Sequence, residues 1–117
     1  MMLVDLATAR SWVRLDSTDD DAILQAVVIS ASDMIVNYLG DDALERLLLV
    51  DSNGEIPEDS NGVIAVDVPG AVLGAARYLV AWLYRNRDAD PDKAFEPGYL
   101  PAPVTAMLYP LRDPSLA

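Results

Sequence analysis

The chain contains no cysteine and no histidine. Without cysteine it forms no disulfide and has no thiolate nucleophile. Without histidine it lacks the commonest general base and the commonest transition-metal ligand. No uninterrupted apolar run reaches the roughly 20 residues of a membrane span. The first residues, Met1-Met2-Leu3-Val4-Asp5, carry neither a basic stretch nor a cleavable apolar region, so no signal peptide is expected. The expectation is a soluble protein made in the cytoplasm, with no membrane partner. The rest of the composition is that of a globular protein. With 52% apolar and 23% charged residues over 117 positions, there is enough for one domain and one modest core.

Positive charge is also scarce. Eight Lys and Arg face 19 Asp and Glu, a net charge of −11. Residues 1–68 hold 14 acidic and 3 basic side chains, and residues 69–117 hold five of each, so the whole excess lies in the first part. Such a chain does not wrap DNA, because phosphate binding needs cations that displace the condensed counterions. It does tolerate DNA passing nearby. Acidity of this size also serves solubility alone.

Hydrophobic spacing points to helices. Asp5 is placed to cap a short helix over 6–13. Asp19-Asp20-Asp21 opens a longer one over 20–39, with acids at the positive end of its dipole and Gly40 at its stop. Ile23, Val27, Met34 and Tyr38 mark one face of that helix, while Asp21, Gln25, Ser32 and Asp33 mark the other, together with Ile29 and Val36. Residues 41–46 extend or restart a helix. The runs 47–50 and 63–66, with two Ser-Asn-Gly turns and Pro57 between them, predict a β-hairpin with a long acidic tip.

Pro69 opens a third main helix over 70–87, with Val72, Ala76, Leu79 and Leu83 inward, flanked by Leu73, Val80 and Tyr84. Its far side carries Gly74, Arg77, Tyr78, Ala81 and Arg85, with Gly74 and Ala81 forming a shallow strip between arginines. Pro103 begins a last short helix over 104–108, limited by Pro110 and Pro114. The expected fold is mainly α: a small bundle of about four helices with a β-hairpin or long loop inserted between the second and third main helices. Residues 1–117 read as a single domain, 41–68 as a variable insertion, and 101–117 as a short C-terminal helix and tail.

Catalytic logic is missing. Carboxylates abound, yet nothing sets their environments apart as acid-base work requires. Asp19-Asp20-Asp21 fits helix capping better. Asp51-Ser52-Asn53-Gly54-Glu55 resembles a calcium loop only superficially, because its glycine comes too early and Gly62 stands where a glutamate is needed. There is no phosphate-binding Gly-Lys-Ser/Thr motif and no Gly-x-Ser-x-Gly elbow. No enzyme activity, metal or cofactor is expected. Trp82 with Arg85 and Arg87 has the residue types that stack and clamp nucleic acid, a weak case on so acidic a chain.

Four patterns occur in a telling order. Leu6-Ala7-Thr8-Ala9-Arg10-Ser11-Trp12-Val13-Arg14-Leu15-Asp16 comes first. Asp20-Asp21-Ala22-Ile23-Leu24 then runs to Asn37-Tyr38-Leu39-Gly40. Trp82-Leu83-Tyr84-Arg85-Asn86-Arg87-Asp88 follows. Leu100-Pro101-Ala102-Pro103-Val104 and Met107-Leu108-Tyr109-Pro110-Leu111-Arg112 close the chain. In this order they resemble the small head-tail connector, or adaptor, proteins of tailed bacteriophages, over about 3–40 and 69–113. Asp88 stands where the family more often has glutamate.

The resemblance implies a helical protein of the virion neck that forms a ring, commonly of twelve copies, on the portal protein. The ring would extend the DNA channel without reading sequence, and would dock the next neck or tail protein. A ring contact is heterologous and needs two different complementary patches. The candidate subunit or portal contacts are Arg77, Arg85, Arg87, Gly74, Ala81, Ile29, Val36 and Arg112. Two other readings compete: an acidic regulatory module, such as a DNA mimic or an anti-repressor, and a carboxylate-metal hydrolase.

Overall fold

An aspartate starts the first helix. In the computed structural model, which describes residues 1–15, 17–86 and 100–112, Asp5 is extended and its Oδ1 accepts from the Thr8 N–H at 2.8 Å. That bond satisfies a donor that every helix start leaves unpaired. The Thr8 side chain and then its backbone N–H hold the Asp5 carboxyl below its ordinary pKa, with a smaller contribution from Arg10 and against a small opposing effect of burial. The helix it caps is α1, Leu6–Val13.

Among the described residues four more helices follow: α2 (Asp21–Leu39), α3 (Asp41–Arg46), α4 (Gly70–Arg85) and α5 (Ala102–Leu108), the last running into a 3-10 turn at Tyr109–Leu111. Gly40, at φ 88, separates α2 from α3, a conformation that glycine adopts without steric cost. Pro69 and Pro101 precede α4 and α5, so those helices begin without a side-chain cap. The mainly helical expectation holds.

The expected β-hairpin over 41–68 does not. Among the described residues there are no strands, only two isolated bridges, Met2 with Val63 in parallel and Glu58 with Ile64 in antiparallel. The β-branched run 63–66 pairs with the N-terminal segment rather than with 47–50. Met2 N–H donates to Gly62 O and Ile64 N–H to Met2 O, each at 2.8 Å. The loop holds its own shape through a repeated unit. In Asp51-Ser52-Asn53-Gly54-Glu55 and Asp59-Ser60-Asn61-Gly62-Val63, the aspartate Oδ1 accepts from the N–H groups two and four residues on. The glycines sit at φ 77 and 78.

The core lies between α2 and α4, closed by α1 and α5. On α2 the buried line is Leu24, Val28, Ala31, Ser32, Ile35 and Leu39. The expected stripe is therefore turned by one residue: Ile23 is exposed, and Val27, Met34 and Tyr38 are only half-buried. Apolar residues surround most of this helix, so two registers fit the periodicity equally well. Ser32 fixes the choice. Its Oγ is buried, accepts from Leu3 N–H at 2.9 Å and donates to Val28 O at 2.7 Å, tying the N-terminal segment to the helix. By length and composition α2 is apolar enough to cross a membrane. Here its buried side forms the centre of the core, and Asp33 is exposed on the other.

On α4, Val72, Ala76, Leu79, Val80 and Tyr84 are buried, as expected, together with Ala75 and Ala81, while Leu83 is half-buried. The acids at the start of α2 do more than interact with its dipole. Asp20 makes no side-chain cap bond but accepts from Tyr84 Oη at 2.7 Å, and Asp21 Oδ1 lies 3.4 Å from Arg10 Nε. They pin the start of α2 to the end of α4 and to α1.

Candidate functional site

The outer side of α4 builds a groove. Gly74, Arg77, Tyr78, Ala81 and Arg85 recur at the three- and four-residue spacing that puts side chains on one helix face. The end of α1 brings Trp12 and Arg14 to one side of it, and α5 brings Met107 to the other. The cavity between them measures about 810 Å³, with Trp82 and Tyr84 also on its wall.

Its electrostatics differ from those of the rest of the chain. Among the described residues, Arg14, Arg77 and Arg85 line the groove, and no Asp or Glu does. All three are exposed, and among the described residues none has an ion-pair or side-chain hydrogen-bond partner. The other described arginines are engaged. Arg10 faces Asp21. Arg46 lies 3.6 Å from Asp42 and donates to Leu111 O at 3.0 Å. Arg112 donates from Nε to Tyr38 O at 3.1 Å, and its guanidinium sits 4.7 Å over the Tyr38 ring. Among the described residues, the groove thus concentrates cations without counter-charges on a chain of net charge −11. Its aromatics, Trp12, Tyr78 and Trp82, give broad, rigid contact area of the kind that anchors interfaces.

Four of the sequence-derived contact residues meet here: Gly74, Arg77, Ala81 and Arg85. The open strip expected at Gly74 and Ala81 is partly covered from within. Ala81 is buried, and a Cβ at Gly74 would stand 3.1 Å from Met107 Sδ. Ile29 and Val36 lie on α2, half-buried and packed against the core, away from the groove. Arg112 serves the fold by holding the 3-10 turn to α2. Arg87 lies outside the described residues.

Trp12, Arg14 and Met107 join the site without having been singled out from the sequence. Only the packing of α1 and α5 on α4 brings them there, so no local spacing signals them. Among the described residues no group of three or more acidic side chains is placed to hold a metal ion. The calcium-like loop uses Asp51 Oδ1 to accept from its own backbone.

The family model described as Phage gp6-like head-tail connector protein matches residues 3–112, nearly the whole chain. Neither the curated proteins nor the solved structures contain a match.

Proposed function

The chain belongs to the phage gp6-like head-tail connector family, and we propose that it serves there as the adaptor ring of a tailed-phage neck. Proteins of this family have a structural role at the junction of head and tail, which puts the chain in the virion neck, associated with portal and tail proteins. In the proposed assembly, copies close into a ring on the portal, commonly twelve. The ring extends the DNA channel and offers the docking surface for the next neck or tail protein. It is made in the host cytoplasm and joins the neck of the particle.

The observation that carries this reading is the groove. Three exposed arginines stand beside Trp12, Tyr78 and Trp82, and among the described residues no acid lines the groove or pairs with those arginines. The acidic remainder suits a channel, because like charge repels phosphate and lets DNA slide. Native mass spectrometry of the chain mixed with the portal ring of its phage tests the proposal. A closed ring bound to portal is expected. A monomer that never binds portal would contradict it, and tight binding instead to a basic DNA-binding protein would favour the acidic regulatory module.

A further inference from the structure

Two corners of the molecule break the same local rule. At the end of α1, Leu15 N–H donates to Arg10 O at 2.9 Å and Arg14 N–H to Ser11 O at 3.4 Å. At the end of α3, Leu49 N–H donates to Leu44 O at 2.9 Å and Leu48 N–H to Glu45 O at 3.0 Å. This is the helix-ending pattern that glycine usually completes, because its turning residue is left-handed. Here those residues are Arg14, at φ 60, and Leu48, at φ 58, the only non-glycine residues of positive φ among those described. Neither side chain returns to the core. Arg14 is exposed on the groove wall, and Leu48 is 78% exposed, the most exposed large apolar side chain described. Glycine would ease folding at both corners.

We propose that the groove is the socket for the 48–55 corner of a neighbouring copy of this chain, a contact that rests on the adaptor-ring reading for its closure. Leu48 enters among Tyr78, Trp82 and Met107. Asp51 and Glu55, exposed and without ion pairs among the described residues, meet Arg14, Arg77 and Arg85. The corner is preorganised, since Asp51 Oδ1 already holds the Asn53 and Glu55 N–H groups at 2.8 and 3.0 Å and leaves the second carboxylate oxygen for the partner. The two surfaces lie toward opposite ends of α2. The Arg14 and Arg85 end of the groove is beside the start of α2, through Arg10 to Asp21 and Tyr84 to Asp20, whereas Leu48 follows α3 beyond the end of α2. The nineteen residues of α2 span about 28 Å between its start, beside Arg14 and Arg85, and its end, before α3 and Leu48. The contact is therefore heterologous, joining head to tail, and such contacts close into rings when the rotation allows.

The absence of cysteine makes the test clean. Phage particles are assembled with a chain carrying Leu48→Cys and Tyr78→Cys, and with each single variant, and are then oxidised. A ladder of covalent multimers from the double variant, with none from either single variant, is expected. Particles that contain the double variant but give no ladder would overturn the contact while leaving the adaptor ring standing, as would dimers from a single variant. Absence of the unmodified chain from portal-bearing particles would overturn the ring itself. Leu48→Gly adds an independent arm. It should raise the Tm of the isolated chain yet lower incorporation into particles at least about tenfold. Unchanged incorporation would remove Leu48 from the contact.

Discussion

On the α1, α4 and α5 side of the molecule, helices close over buried Val72, Leu79, Val104 and Leu108, and Arg14, Arg77 and Arg85 outside have no acid partner among the described residues. On the 41–68 side, backbone is held by two short-range aspartate turns and by bonds to the N-terminal segment, with acids and a bare leucine outside. One side is secured by area and leaves cations over. The other is secured by local polar bonds and leaves anions and Leu48 over. Each side lacks what the other presents. A monomer keeps both surfaces open, at some strain at Arg14 and Leu48, and head-to-tail assembly would satisfy both.

Variants that strike one side and spare the other sharpen the contrast. The largest effect should come from Leu79→Ala, fully buried on α4, which should cost about 2–5 kcal/mol in urea denaturation by leaving a cavity. Ser32→Ala should cost about 1–3 kcal/mol, because the buried Leu3 N–H loses its acceptor. It should also speed hydrogen exchange at Ile64, which depends on the same N-terminal segment, while amides within α4 keep their protection.

Asp5→Ala should remove a helix cap at about 1 kcal/mol. The folded state lowers the Asp5 pKa, so the cap's stabilisation is complete above the unfolded carboxyl's titration and is lost as pH falls through the folded one. The variant should therefore differ from the parent at neutral pH and converge with it in strong acid. A difference that persists undiminished there would show that the cap acts through something other than the carboxylate. Leu48→Gly should move stability the other way, a gain of roughly 1 kcal/mol at most from relieved left-handed backbone. A loss of stability would mean that Leu48 packs within its own chain.

Helix starts and stops were legible because they depend on neighbours in sequence: Asp5 capping Thr8, Gly40 ending α2, Pro103 in the first turn of α5, which begins two residues earlier than expected. The inward face of α2 was not. Leu24, Val28 and Ile35 compete with Ile23, Val27 and Met34 at equal spacing, and the decision comes from Ser32 bonding Leu3, 29 residues away. The hairpin failed for a similar reason. Val63 and Ile64 have the residue types of a strand, but beyond the short turn that pairs Ile64 with Glu58 their partner is Met2, about 60 residues away in sequence, rather than 47–50. Half of the candidate contacts, Gly74, Arg77, Ala81 and Arg85, could be read as one helix face. Trp12, Arg14 and Met107 come to that face only through tertiary packing, and the left-handed conformation of Arg14 leaves no trace in its residue type.

Charge reversal across the proposed contact tests the central claim most directly. Native mass spectrometry would follow ring formation on the portal for the parent chain, for Arg77→Glu, and for Arg77→Glu combined with Glu55→Arg. The account predicts rings from the parent, at least about tenfold fewer from the single reversal, and recovery in the double one, since opposite charges again face each other. Rings that form equally well with Arg77→Glu alone, or a double reversal no better than the single, would contradict it.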